Sequence, residues 1–411
     1  FTVQDAGDLG AYSLVVAGHY GNTTSNTANV RFPVYDISFT PDPGLGAHVD
    51  GLTLQPDRRI LVWGSFTQMS GAPIARLARL YPSGAPDTAF APSPDGDVEA
   101  VAVQPNGKLL VAGRFGNIGG ASRARLARLE ANGVLDPGFS PPFTSDPADY
   151  VTALSVQADG RIHWAGYVDG AWRVGRLLPD GTTDPAFSPI ETGVGPDARI
   201  DSLTLEPSGH LLVGGPFTLI GGGSRNALAR FTEEGTLESL PAGNPSNLTA
   251  VMARLPDGRL LTGGNSSNLE RLLADGTKDP SFTRRTVTGG GLDALLVAES
   301  GDYFAGGGFN SRLLRVQGTS SFSYSVDGTV VSALALQEDG ALVAAGDFTT
   351  VDSRARRAIL RMPPEAVESR LEFSPDGVTW VRNGSLPVFW RTTLEHSTNG
   401  VVWLDAGSGV R

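Results

Sequence analysis

The sequence predicts an all-β repeat fold from three observations. A hairpin-like unit recurs seven times, turn formers dominate the composition, and a short phrase that ends most units also stands alone near the front. The 411 residues include 53 glycines and 28 prolines, too many for a helical protein and without the three-residue period of collagen. With 43 acidic and 32 basic residues the net charge is −11, which argues against a phosphate-binding surface and therefore against a nucleic-acid partner. The chain has no cysteine, so disulfides, thiolate catalysis and thiolate-bound zinc are excluded. No apolar run approaches the roughly 18 residues of a membrane span, and no signal-peptide pattern opens the chain. Because residue 1 is Phe rather than Met, both ends are read as cuts within a longer sequence.

The seven units begin at Val49, Val98, Val151, Ile200, Leu248, Leu292 and Val331. In each, as in "VEAVAVQPNGKLLVAGRF" from Val98, an alternating apolar run meets a turn such as "PNG" or "ADG" and a second apolar run ends at glycine. That pattern predicts a β-hairpin, because Asn-Gly and Asp-Gly suit the positive φ of tight hairpin turns. A third strand follows, "RLARL" at Arg76 and Arg125 and "AILRM" at Ala358 among others, and then a predicted fourth: "APDTAF" at Ala85, "VLDPGF" at Val134, "TTDPAF" at Thr182, "TKDPSF" at Thr277. Four antiparallel strands repeated at this period predict a β-propeller of seven blades over residues 34–362. The seventh unit has no fourth strand of its own, and the unattached copy is "VYDISF" at Val34. Val34–Thr40 is therefore expected to pair with Arg357–Met362, placing Tyr35, Asp36 and Phe39 beside Arg361 and removing an open sheet edge.

Hairpins such as "VQPNGKLLVAG" followed by "RLARL" and "LDPGF" resemble the delta-60 repeat, a bacterial β-propeller family. The resemblance covers residues 34 to about 362, strongest in repeats one to three and weaker in five and six. It implies a propeller found in large bacterial surface or secreted proteins, and it implies no catalytic residues. At the N-terminal end, Asp8, Gly10 and Tyr12 form a D-x-G-x-Y sequence, and residues 1–33 resemble the last strands of an immunoglobulin-like sandwich with Tyr12 as corner tyrosine. Residues 363–411 hold two similar hairpins, "LEFSPDGVTW" and "LEHSTNGVVW", which suit the N-terminal part of such a sandwich. Two strands alone are marginal, so the sandwich is expected to be completed either by flanking chain outside these residues or by the next copy, through strand addition between subunits or a covalent tandem. A head-to-tail contact of that kind makes a filament.

Arginine recurs in the third strand as Arg79, Arg128, Arg176, Arg230, Arg271, Arg315 and Arg361, and acids recur in the fourth as Asp36, Asp87, Asp136, Asp184 and Asp279. Recurrence in nearly every unit favours structural ion pairs over a ring of anion sites. The five histidines, His19, His48, His163, His210 and His396, show no metal-ligand spacing, and His163 and His210 fall in second strands. Asp50, Glu99, Asp201 and Asp293 share one position of the first strand and would face the channel, where carboxylates for glycoside cleavage would have to converge. No phosphate loop or serine elbow is present. The sequence thus predicts a non-enzymatic extracellular or cell-surface protein without cofactor or metal, structural or adhesive in role. Its expected partners are further copies of itself and a glycan or cell-surface ligand, and the alternative is a glycan-binding or glycan-cleaving propeller with its site at the channel mouth.

Overall fold

The structure is a computed structural model. It describes residues 10–12, 15–18, 21–24, 28–30, 36, 38–193, 198–239, 251–264, 268–318, 320–351, 354–362, 369–374, 377–382, 392–396 and 404–409, with side chains only within 36–362. Among these there is no helix, and every regular element is a strand. The chain divides into two compact units, one of residues 35–337 and 342–362, the other of residues 1–34, 338–341 and 363–411.

In the larger unit each aligned segment folds as an antiparallel sheet. Repeat one pairs Val49–Leu54 with Ile60–Gly64 and then with Leu77–Leu80. Repeat two pairs Val98–Val103, Leu109–Gly113 and Leu126–Leu129 in the same order. The ladder slips at the second residue of the aligned unit in repeats one, two, three, six and seven, at Asp50, Glu99, Thr152, Asp293 and Ser332. A bulge there twists the strand and re-aims one side chain. The glycine ending the second strand is required by the same feature: a Cβ on Gly113 would stand 2.1 Å from the Asp97 carbonyl oxygen, a distance only glycine permits.

The fourth strand differs from expectation. In repeats one to five the terminal phrase makes a single bridge to the third strand, Leu80 to Pro86 and Leu129 to Leu135 for example, and then turns. In four of these phrases the aspartate side chain accepts the N–H two residues on, as Gly138 to Asp136 at 2.9 Å and Ala186 to Asp184 at 2.9 Å. This is an Asx-turn, and the proline that follows the aspartate in three of these phrases has no N–H for a ladder. Full fourth strands are thus replaced by a one-bridge latch, followed in repeats three and five by the two-residue strands Ile190–Glu191 and Arg285–Thr286. Repeat six has a real fourth strand, and it is shared: Ser320–Leu336 pairs first with Arg312–Gln317 and then, as the first strand of repeat seven, with Leu342–Val351.

The core lies between the sheets. Leu61, Trp63 and Leu77 of repeat one pack with Val98, Leu109 and Val111 of repeat two, and the same sharing links repeats two with three, three with four, four with five and five with six. A further cluster joins the extremes, Phe39, Val49, Ile60 and Val62 against Ala333, Val343, Ala345 and Ile359. First strands of consecutive repeats are neighbours throughout the series, and Ser320–Leu336 neighbours Val49–Leu54. There the Ser332 hydroxyl donates to the Val49 carbonyl at 2.5 Å.

In the smaller unit, Gly10–Tyr12 pairs with Ala28–Val30 and Val15–Gly18 with Gly21–Thr24. Ser369–Ser374 pairs with Gly377–Arg382, the expected first hairpin. Thr392–His396 pairs with Leu404–Gly409. Among the described residues no ladder joins the N-terminal hairpins to the C-terminal ones.

Candidate functional site

The recurring arginine sits on the third strand opposite the second residue of the second strand, Arg79 facing Leu61 for instance. Its Nε donates to Asp87 at 2.9 Å, its guanidinium lies 4.5 Å from the Phe90 ring centre, and its Nη1 donates to the Ala131 carbonyl of repeat two at 2.5 Å. One side chain thereby ties its own latch phrase to the neighbouring repeat, with the planar fork satisfied on two sides and the ring beneath. Arg128 repeats the pattern with Asp136 at 2.7 Å, Phe139 at 4.5 Å and the Pro179 carbonyl. Arg176 repeats it with Asp184 at 2.7 Å, Phe187 at 5.0 Å and the Glu233 carbonyl.

Arg361 makes the same three contacts, but its latch residues come from the front of the chain. Its Nε donates to Asp36 at 3.0 Å, Phe39 lies 4.6 Å below, and Nη1 donates to Pro82 of repeat one at 2.6 Å. The Asp36 N–H also donates to the Arg361 carbonyl at 2.7 Å, as Asp87 does to Arg79 at 2.8 Å. Tyr35 lies outside the described residues, as does Asp8, while Gly10 and Tyr12 occupy the strand Gly10–Tyr12.

Repeats four to six depart from the pattern. Arg230 is held by Glu206 at 2.7 Å and Glu238 at 3.0 Å. Arg271 keeps Asp279 at 2.7 Å and Phe282 at 4.7 Å, and Arg315 faces Asp302 at 3.6 Å and Phe304 at 5.5 Å.

The latch carboxylates are tuned accordingly. Burial alone would raise Asp136, but hydrogen bonds from Lys108 and Arg128 and the Gly138 N–H outweigh it and hold the group at about 2. Burial is likewise outweighed by hydrogen bonds at Asp36, from Ser38 and Arg361, and at Asp87, from Arg79, so both sit below the usual carboxylate range. A hydrogen bond from Ser281 leads the causes that depress Asp279.

A second set of arginines was not singled out from the sequence. Arg76 and Arg125 precede the third strand and Arg312 opens it, with φ of 63°, 64° and 61°, a region costly for a side-chain-bearing residue. Arg125 donates to Phe115 at 3.2 Å and Asp146 at 2.6 Å, and Arg312 donates to Gly328 at 2.8 Å. Arg356 donates to the Phe39 carbonyl at 2.8 Å. Each binds backbone outside its own strand, and the recurring "R" that opens "RLARL" was the available signal.

Two of the first-strand carboxylates are paired with arginines, Glu99 with Arg114 and Asp201 with Arg199. Burial raises Asp50, with the Glu99 charge as the next cause, whereas Asp293 is raised by burial alone. Burial also raises Asp201, against a lowering bond from Arg199. Glu99 is paired with Arg114 at 2.9 Å, and the Arg114 guanidinium lies 3.6 Å from the Tyr150 ring centre. Tyr150 in turn stacks on Tyr167 at 6.0 Å and meets Trp172 edge-on at 5.6 Å. Among the described residues no group of three His, Cys, Asp or Glu side chains is arranged to hold a metal. His48 lies 3.4 Å from Asp347 and His210 3.4 Å from Glu238, while His163 is fully buried and His19 lies outside the described residues.

Solved structures place the fold among the propellers. Virginiamycin B lyase from Staphylococcus aureus aligns with a TM-score of 0.53 at 12% identity, over 77% of this chain and 94% of that one. The WD40 β-propeller domain of Doa1 aligns with a TM-score of 0.54 at 10% identity, over 79% and 95%. The extracellular domain of a putative one-component system of B. thetaiotaomicron, BT4673, aligns with a TM-score of 0.51 at 13% identity, over 82% of this chain and 41% of that one. The molecule is thus an all-β protein of the propeller class. Residues 55–90, 104–139, 157–187, 206–239 and 255–282 match the family described as "Domain of unknown function (DUF5122) beta-propeller". Over residues 55–282 the chain belongs to these delta-60-like β-propeller repeats. A comparison with curated proteins finds no match. No helix among the described residues is long and apolar enough to cross a membrane.

Proposed function

We propose that residues 34–362 form a seven-bladed wheel closed by its own N-terminal segment, and that the chain is a non-enzymatic extracellular module of a bacterial surface fibre or adhesive assembly. In this reading the wheel is a rigid body that presents loops, and the flanking hairpins join one unit to the next as halves of immunoglobulin-like sandwiches. The observation that carries it is the use of the recurring charged side chains. Arg79, Arg128, Arg176 and Arg361 each engage a carboxylate, a phenyl ring and a carbonyl of the next repeat, so this chemistry is committed to holding the body rigid. The Asp36–Arg361 contact and the apolar cluster between the first and last repeats support closure.

Closure has its own test. Asp36→Ala removes the charged partner of Arg361 and the Asx-turn bond to the Ser38 N–H at 2.8 Å. The variant is expected to lose about 1.5–3 kcal/mol in urea unfolding, and cleavage after Arg361 by trypsin should accelerate. Wild-type stability and wild-type cleavage would count against a closed wheel.

Negative-stain electron microscopy of concentrated protein tests the assembly, with end-to-end rows as the expected result. A uniformly monomeric field would remove the fibre. The second reading, a glycan-binding or glycan-cleaving propeller, is favoured by the aromatic group of Tyr150, Tyr167 and Trp172 beside Arg114. Saturable binding on a glycan array, lost in Trp172→Ala, would select it.

A further inference from the structure

The junction between repeats five and six lacks a contact that other junctions have. From repeat seven into one, one into two, two into three and three into four, the latch arginine donates Nη1 to a loop carbonyl of the following repeat: Pro82, Ala131, Pro179 and Glu233. Those loops are five-residue turns, closed in repeat two by the Glu130 N–H on the Val134 carbonyl at 2.7 Å. Repeat six returns more tightly, since Gln317 pairs directly with Ser320 and only two residues separate them. The carbonyl that would receive Arg271 is therefore missing. Arg271 donates Nε to Asp279 at 2.7 Å and Nη2 to Ser281 at 3.2 Å, and its Nη1 has no hydrogen-bond partner among the described residues.

In place of the loop is a groove of about 1030 Å³ whose lining includes Arg271, Phe282, Arg284 and Arg285 and the carboxylates Glu299 and Asp302, the latter 3.6 Å from Arg315. The neighbouring junction, between repeats four and five, leaves only about 20 Å³. Open space adjoins Gly318, where an added Cβ would meet nothing within 4 Å. Arg259, on the groove wall, is neutralised by Asp257 and by Asp279 at 3.0 Å. Arg284 is exposed and has no ion pair among the described residues.

We propose that this groove binds an acidic peptide segment, which seats a main-chain carbonyl on Arg271 and a carboxylate on Arg284. The socket is of the kind that holds a peptide carbonyl at four other junctions, so its hydrogen-bond geometry is already set for one. Phe282 supplies an apolar wall, and Arg284, on the same groove as Glu299 and Asp302, offers a carboxylate the bidentate geometry of a guanidinium. This site is independent of the assembly reading above, because it lies within one wheel and needs no second copy.

The test is fluorescence anisotropy of the full chain with a labelled, end-capped peptide of sequence LEANGVLD, corresponding to Leu129–Asp136 and containing the carbonyl that fills the equivalent socket in repeat two. Saturable binding is expected, weakened about tenfold by Arg284→Glu, the loss of roughly one charged hydrogen bond. A second variant replaces the two residues between Gln317 and Ser320 with the turn Glu130–Val134. It is expected to fill the groove, abolish binding and raise the Tm. Absence of saturable binding, or binding unchanged in either variant while both remain folded, overturns the proposal. Free glucuronate displacing the label at the same concentration as unlabelled peptide also overturns it, in favour of an acidic sugar.

Discussion

Replacing Arg176 with alanine is expected to lower the unfolding free energy by about 3–5 kcal/mol, the cost of leaving one member of a buried ion pair alone. Arg176 is 2% exposed and Asp184 4% exposed, so water cannot take over from the lost guanidinium. The substitution strands three groups at once: the Asp184 carboxylate, the Glu233 carbonyl of the next repeat, and the face of Phe187. Urea unfolding of the single variants and of Arg176→Ala combined with Asp184→Ala would measure the coupling. The double variant should recover part of the loss, because the isolated buried charge is then gone. A single-variant loss below about 1 kcal/mol would show that the latch is peripheral to stability.

Acidification is expected to destabilise the wheel through His163, and His163→Leu to remove that component. His163 is 0% exposed, neither ring nitrogen has a hydrogen-bond partner among the described residues, and its ring meets Phe187 at 5.4 Å. Burial first, then the charges of Arg176 and Arg161, pushes its pKa from 6.5 down to about 4 against the weaker opposing pull of Asp159 and Asp184. Above pH 6.5 the imidazole is neutral folded and unfolded, so it contributes no pH dependence. As the pH falls from 6.5 towards 4 the unfolded chain takes up the proton first, and the folded state loses up to about 3 kcal/mol, near 1.4 kcal/mol per pH unit. Leucine suits the position, since Leu61, Leu110, Leu212 and Leu261 occupy the same register opposite their arginines. Thermal unfolding of both proteins at pH 7 and pH 4.5 checks this. The variant should be as stable as the parent or more so at pH 7, and the gap should widen in acid. Parallel pH profiles would mean that the buried imidazole does not titrate with folding.

Much of this was legible in the residues. The hairpins follow from alternation and from turns such as "PNG", and the first two strands of the described repeats lie close to where that pattern ends at glycine. The pairing of Arg79 with Asp87, Arg128 with Asp136 and Arg176 with Asp184 could be inferred because the same spacing recurs, and repetition is visible without coordinates. The fourth strand was misread because Asp136, Pro137 and Phe139 resemble the edge of a strand, whereas the aspartate caps its own turn and the proline cannot donate. The second arginine set escaped because a left-handed φ at Arg125 leaves no mark on composition. The carboxylates Asp50, Glu99, Asp201 and Asp293 share a sequence position, yet salt bridges to Arg114 and Arg199 set two of them apart.

The sequence by itself determined the period, the strand order within a repeat and the residue types of the latch, because local alternation and turn chemistry act over a few neighbouring positions. Tertiary structure alone decided what each latch reaches. Arg79, Arg128 and Arg176 find a carbonyl in the next repeat, while Arg271 faces a groove because repeat six turns two residues after its third strand. That difference depends on where two sheets face each other, and the distance between separate sheets is fixed by packing rather than by the spacing of residues along the chain.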